Sequence, residues 1–554
     1  MNQHVKYLPQ WTRRVAMEGS GRDPLGLSRV SDALTNFLLP SIITTTDRAR
    51  YYSFYTWAIA DIEELRKAKG ARVSFEDAFQ RREAAFAIAS RLGRKIDLPI
   101  VGIREVDAIL ASADKGDNVD TDFKVLPSNT TGGYGQYYGG CLHGLDLVRG
   151  DENGELVPSP EQGRKLAAAF AAATAKSPYL TGNWRTRPRV PKNVLQQSAE
   201  FFSLDALAGR AADTERELLI SLFFNLGESP SATRPLNRQA TLGMFLHVLK
   251  SCDDAGMAVS RREVDRDAVF WPHYFGALSD NEHDLLRYQP APAFAEAHAF
   301  WRQFSAHQFL AFALEEFLAA VLDALSLHPE GLTQSALLDK LVSKVFAQDL
   351  KKVMKSNCAT PAALLKAIGI TDVPDVATSL AVTRRFHSES VLNEWNVCWN
   401  RDLSPQTRLG RATVLLALLY GKWRGRNDED ALLRVADEAK DELWLGTIFP
   451  WLDDWQAGQV DWRAAVAHLL EWITMRHDQV KFQKRKLEAS WFELANGRFV
   501  KQQDIVPGFR ASRHGNATTV LQDLGLIKHG GLDDPLRLTV RGRQVLNEVI
   551  RLRK

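Results

Sequence analysis

Cations supply the strongest chemical signal in this chain of 554 residues. From Arg476 to Lys554 stand 16 Lys and Arg against 8 Asp and Glu, a local charge of +8; the whole chain nets +3, so the first 475 residues carry −5. A basic end favours a polyanion, because neutralised phosphates release their counterions. A solvated basic helix would show the same balance. Reading a duplex groove needs polar side chains at a helix start to meet base edges, and flanking cations to hold the phosphates. Asn516, Thr518 and Thr519 suit the first task. Arg510 and Arg513 just before them, Lys528 beside His529, Arg541 and Arg543 in a last helix, and the cluster Lys481, Lys484, Arg485 and Lys486 suit the second. Asn pairs bidentately with adenine and Arg with guanine. The candidate nucleic-acid-binding residues are thus Lys484, Arg485, Lys486, Arg510, Arg513, Asn516, Thr518, Thr519, Lys528, Arg541 and Arg543, with double-stranded DNA as the ligand. Asp523, Asp533 and Asp534 would oppose phosphate if they faced it.

Catalytic patterns are missing from the sequence. It has no GxxxxGK[ST] phosphate loop, no HExxH and no GxSxG elbow. Gly133, Gly135 and Gly139 are spaced somewhat like a dinucleotide loop, but no buried strand is expected before them and no acidic residue follows at the right place. With Tyr134, Gln136, Tyr137 and Tyr138 they read as a turn or a contact surface. His298 and His307 share an apolar helix but are nine residues apart, hence on opposite faces. Glu438 and Lys440 make a lone ExK in a helical setting, and Asp47, Arg48 and Arg50 read equally as a polar site, a helix start or buried ion pairs. Cysteines at 141, 252, 358 and 398 form no CxxC. No catalytic residue, metal or cofactor is assigned.

The elements that must position these groups are mostly helices. Apolar periodicity predicts helices over 28–39, from Thr46 or Asp47 through Tyr51, Tyr52, Phe54, Tyr55 and Trp57 to Leu65, and over 75–92 after the cap Ser74. Thr214 and Glu217 suggest a capping box, and 292–325 reads as a central core helix. Residues 113–121 read as a surface loop. Nine of the 14 tryptophans lie between Trp395 and Trp491, which predicts a subdomain packed on large rings. No run of 18 apolar residues exists, so no membrane span is expected. Met1 to Arg14 carry no signal-like apolar stretch, so a cytoplasmic location is expected.

Two stretches share a pattern. Ala517, Val520, Leu521 and Leu524 mark one helical face, Gly525 ends that helix, two short runs around 526–528 and 536–538 suit a strand pair, and Thr539 caps a last helix. Helix, two-stranded wing and helix resemble the winged-helix fold, with further helices expected near Leu487 to Asn496 and 501–508. From Tyr137 to Phe170 the pattern returns: Leu142, Leu145, Leu147 and Val148 match Leu521, Leu524, Leu526 and Ile527, and Ser159 caps a helix. That copy, with net charge −1 over 122–180, suits packing or protein contact better than phosphate. The expected fold class is mainly α and multi-domain, with two small winged-helix-like α+β units. The domains are 1–121, helical and aromatic; 122–180, the degenerate winged unit; 181–475, a helical core with the Trp-rich subdomain; and 476–554, the basic winged domain.

Residues 25–59 are similar to the opening of an uncharacterised family of bacterial proteins often encoded near anti-phage defence genes, whose pattern is Leu-Gly, a helix ending in LLPG or LFPG, then TxxARYFxFxPW. The chain carries Leu25, Gly26, Leu38, Leu39, Pro40, Thr46, Ala49, Arg50, Tyr51 and Trp57, and departs at Ser41 for Gly and Thr56 for Pro. The resemblance implies a bacterial defence setting and no particular activity. The expected function is a non-catalytic DNA-binding or scaffold subunit of a multi-protein system, whose partners are DNA and other protein subunits. The alternatives are a divergent metal-dependent nuclease and a pure protein-interaction scaffold.

Overall fold

The structure, a computed structural model, describes residues 23–69, 73–94, 99–112, 118–226, 233–279, 285–368, 394–398, 404–424, 445–484, 490–528 and 534–554. Among them the chain is mainly α-helical with a few short antiparallel strands, as expected. No helix is long and apolar enough to cross a membrane among the described residues. Two compact units emerge. Of the described residues, the first holds those within 34–305 and 511–554, and the second holds those within 23–33, 306–368 and 394–510. Helices Ser28–Leu38 and Ala295–Leu325 carry residues of both. Of the segment read as one basic domain, 476–510 belongs to the second unit and 511–554 to the first.

Helix Arg50–Lys69 is the aromatic axis of the first unit. Tyr51, Tyr52, Phe54, Tyr55 and Trp57 are all buried, which a helix so dense in rings achieves only when covered on several sides. Phe54 stacks on Phe86 of helix Phe75–Leu92 with centroids 4.0 Å apart, and Trp57 meets Phe170 of helix Gln162–Thr174. Ser74 caps Phe75–Leu92 by accepting from the Asp77 amide. Elsewhere in the unit, helix Thr233–Asp254 packs on the last helix, Val540–Leu552. Gly243 permits this approach, since a Cβ there would lie 2.8 Å from Val549 Cγ1 and 2.9 Å from Phe294 Cε1. Helix Asp213–Phe224 starts near the expected place without a side-chain cap. Glu217 pairs with Arg541 instead of closing a capping box. Residues Asn118–Asp120, expected in a loop, form a strand against Arg189–Pro191, with Val119 buried.

The two stretches that share a sequence pattern also share a hydrogen-bond scheme. After helix Gly139–Gly144, Leu147 N–H donates to Leu142 O past Asp146 at φ 53°. Strands Val148–Gly150 and Leu156–Pro158 then pair, Ser159 N–H donates to Leu147 O, and the Ser159 hydroxyl donates to Asp146 O while accepting from Gly163 N–H. After helix His514–Asp523, Leu526 N–H donates to Leu521 O past Gly525 at φ 70°. Strands Ile527–Lys528 and Pro535–Leu538 pair, Thr539 N–H donates to Leu526 O, and the Thr539 hydroxyl donates to Gly525 O while accepting from Gly542 N–H. A Cβ on Gly163 would lie 2.1 Å from Leu147 O, and one on Gly542 would lie 2.1 Å from Leu526 O. A helix, strand pair and helix are thus built twice by the same contacts. Strand Val259–Ser260 extends the second pair to three strands.

The likeness to a winged helix stops upstream. Strand Phe492–Ala495 occupies the described part of the expected helix 487–496, pairing with Arg498–Lys501. Residues 502–508 are irregular where the winged-helix resemblance implies a further helix near 501–508. Asn496 and Gly497 both take positive φ and close the hairpin, a turn chemistry that outweighs the apolar spacing.

In the second unit, strand Leu332–Thr333 joins the same hairpin to make a three-stranded sheet. Helices Pro405–Trp423, Leu445–Gln456 and Trp462–Lys484 carry the ring-rich core, with Trp423, Trp455 and Trp462 buried. The Trp462 indole N–H donates to Cys358 O, so its polar edge is satisfied inside.

Candidate nucleic-acid interface

Helix His514–Asp523 turns its middle inward. Ala517, Val520 and Leu521 are buried as their spacing requires, but Thr518 is 0 % and Thr519 3 % exposed. The exposed first turn expected for these threonines is not found. Their hydroxyls bond back to His514 O and Gly515 O one turn earlier, which satisfies them without any outside partner. The helix is covered at both ends. The His514 ring meets Trp301 and Phe245 with centroids at 4.6 and 5.2 Å, while the Asp523 carboxylate accepts from Arg48 Nε and the Ala49 amide, each at 2.9 Å. Burial holds the His514 imidazole down at about 3, keeping it neutral.

Most of the described cations chosen as phosphate contacts meet groups of their own fold. Arg513, 8 % exposed and at φ 67°, donates to Ile42 O, and the Asn516 amide donates to Thr44 O. Arg541 pairs with Glu217. Arg543 pairs with Asp253 and Asp254, and Asp253 also holds Arg537 and the Leu538 amide. In the second unit Arg510 pairs with Glu315 at 2.5 Å, while its amide donates to Gln308. Burial lifts Glu315 to about 7, with Arg510 pulling the other way. Lys528 is exposed. Lys484 ends helix Trp462–Lys484; its side chain, together with Arg485, Lys486, His529 and Asp533, lies outside the described residues, as do Glu438 and Lys440. The residues expected in one interface are divided, Arg510 and the Lys484 helix belonging to the second unit and Arg513, Asn516, Thr518, Thr519, Lys528, Arg541 and Arg543 to the first.

Of the polar trio at the start of helix Arg50–Lys69, the two arginines form ion pairs. Arg48, 2 % exposed, bridges Asp523 and Asp205. Burial disfavours its charge, yet the two carboxylates raise its proton affinity above the usual Arg range. Arg50 makes two hydrogen bonds to Glu215 with both groups fully buried. Burial raises Asp47 and Asp523 above the ordinary carboxylate range.

The Gly/Tyr segment covers a carboxyl. Tyr134–Tyr138 is a single wide helical turn, and no strand leads into it, which removes the dinucleotide-loop geometry. Tyr55 hydroxyl and Gly133 N–H both donate to Glu83 Oε1, at 2.7 and 2.8 Å. Gly132 sits at φ 52°, where a Cβ would fall 1.7 Å from Glu83 Oε2. Burial lifts Glu83 to about 7. His298 lies Nδ1 to Nδ1 3.0 Å from His273 in the first unit, whereas His307 faces Leu27 O in the second. Among the described residues no group of three or more His, Cys, Asp or Glu is placed to hold a metal.

Sequence reasoning named the cations, gave Glu217 a capping role in place of its ion pair, and missed Asp253, Asp205, Glu215 and Glu315. These carboxylates lie far along the chain from their partners, so no local spacing marks them. No family model, curated protein or solved structure matches the chain.

Proposed function

We propose that the chain is a non-catalytic scaffold subunit that binds other proteins. The observation that carries this reading is the pairing of Arg541, Arg543 and Arg510 with the protein's own carboxylates, on a chain whose would-be reading helix buries Thr518 and Thr519. A cation already held by a carboxylate gains little from a phosphate, because one ion pair is exchanged for another and fewer counterions are released. A groove reader must also offer its first helical turn to base edges. The copy of the helix and strand-pair module within residues 122–180 has a net negative sequence, which also suits protein contact. The bacterial defence setting is supported by the likeness of residues 25–59 to the defence-associated family. Ser41, standing where that family has Gly, holds φ 64°, a conformation natural to Gly.

A fluorescent duplex titrated with the full chain tests this. The expected result is no saturable binding at about 0.15 M salt, and an intact duplex after incubation with Mg²⁺ or Mn²⁺. Saturable binding whose affinity falls steeply with salt, and drops in Lys528→Glu, would establish the DNA reading instead. Cleavage would establish a nuclease.

A further inference from the structure

Resting on the scaffold reading, a surface of the second unit specifies a kind of partner. Strand Phe492–Ala495 is the outer strand of its sheet, and among the described residues it pairs only with Arg498–Lys501. Asn496 and Gly497 form a two-residue turn, so Ala495 and Arg498 exchange hydrogen bonds while Leu494 directs its N–H and C=O away from the hairpin. Folds guard such edges with charge, proline or a covering element. Here the Leu494 side chain is 58 % exposed.

Beside this edge lies a groove of about 410 Å³, whose walls include Trp472, Met475, Leu494 and Phe499. Met475 is 41 % and Phe482 85 % exposed, and their spacing of seven places both on one face of helix Trp462–Lys484. The groove's charged lining residues are Glu471 and Asp478, with no Lys or Arg among them. Glu493, on the edge strand itself, adds a third carboxylate; Lys481 approaches it only to 3.9 Å.

We infer that this edge and groove receive an extended segment of a partner protein in which apolar side chains alternate with Lys or Arg. An added strand would take its backbone bonds from Leu494 and send every second side chain to one face. Apolar side chains would fill the groove between Met475 and Leu494. Cations between them would project to the opposite face, where Glu493 stands on the edge strand, while Glu471 and Asp478 give the groove itself an acidic lining that repels nucleic acid.

The probe is a fluorescein-labelled nine-residue peptide of alternating Lys and Leu, compared with Glu/Leu and Lys/Ser counterparts, on the full chain. The Lys/Leu peptide is expected to bind saturably, and the other two about tenfold or more weakly. Leu494→Pro, which removes the outward donor, and Met475→Ser, an exposed helix position that spares the hairpin, should each weaken binding to a similar degree. Equal binding of the Lys/Ser peptide, or full binding to Met475→Ser, overturns the inference. Failure of all three peptides to bind overturns this surface alone, since the scaffold reading is judged separately by the duplex titration.

Discussion

A buried carboxyl with no cation bonded to it, such as Glu83, makes stability depend on pH. Its folded value of about 7 lies above the ordinary 4.5, so the fold holds this proton more tightly than the unfolded chain does. The contribution is complete below about pH 4.5 and is lost as the pH rises through 7, at a limiting slope of about 1.4 kcal/mol per unit. Glu83→Gln keeps the shape and removes the charge. Urea unfolding across this window should show the native chain weakening toward alkaline pH and Glu83→Gln weakening less steeply, the remainder coming from groups such as Glu315; parallel profiles would place the dependence elsewhere. At this scale the sequence shows residue types but not partners. Arg48 and Arg50 stand out as polar groups at a helix start, yet nothing local reveals that Asp523 and Glu215 close their ion pairs from 475 and 165 residues away.

Helices are the more legible scale, because apolar periodicity acts within one turn of chain. Ser28–Leu38, Arg50–Lys69, Phe75–Leu92 and Ala295–Leu325 lie close to where their spacing puts them. Misreadings arise where a short turn overrides spacing, as Asn496 and Gly497 do, or where a remote strand pairs, as Arg189–Pro191 does with Asn118–Asp120. The doubled module is the most informative element, since its sequence echo is matched by the same contacts in both copies. Gly163 and Gly542 each face a Leu carbonyl oxygen that a Cβ would meet at 2.1 Å. Gly163→Ala and Gly542→Ala should each destabilise by about 1–3 kcal/mol in chemical unfolding, because backbone must move to admit a methyl. Gly515 lies in the first turn of helix His514–Asp523, and a Cβ there would meet nothing within 4 Å beyond its own helix backbone and chain neighbours. It should accept Ala with no loss, or gain about 0.5–1 kcal/mol. Losses at Gly515 matching those at Gly542 would contradict the close-approach account.

For the whole molecule, the charge asymmetry is real, and part of it is met by carboxylates inside the fold. The described part of the basic C-terminal stretch belongs to two compact units, and four of its cations, Arg510, Arg537, Arg541 and Arg543, pair with carboxylates of the preceding chain within their own unit. Net charge is legible in a sequence; its pairing is a property of the fold. The central claim, that helix His514–Asp523 is part of a core and not a reading head, is tested most directly by hydrogen exchange of its amides with and without duplex DNA. Slow exchange across 517–521, unchanged when DNA is added, is the predicted result. Fast exchange in the free chain that becomes protected on adding DNA would contradict it.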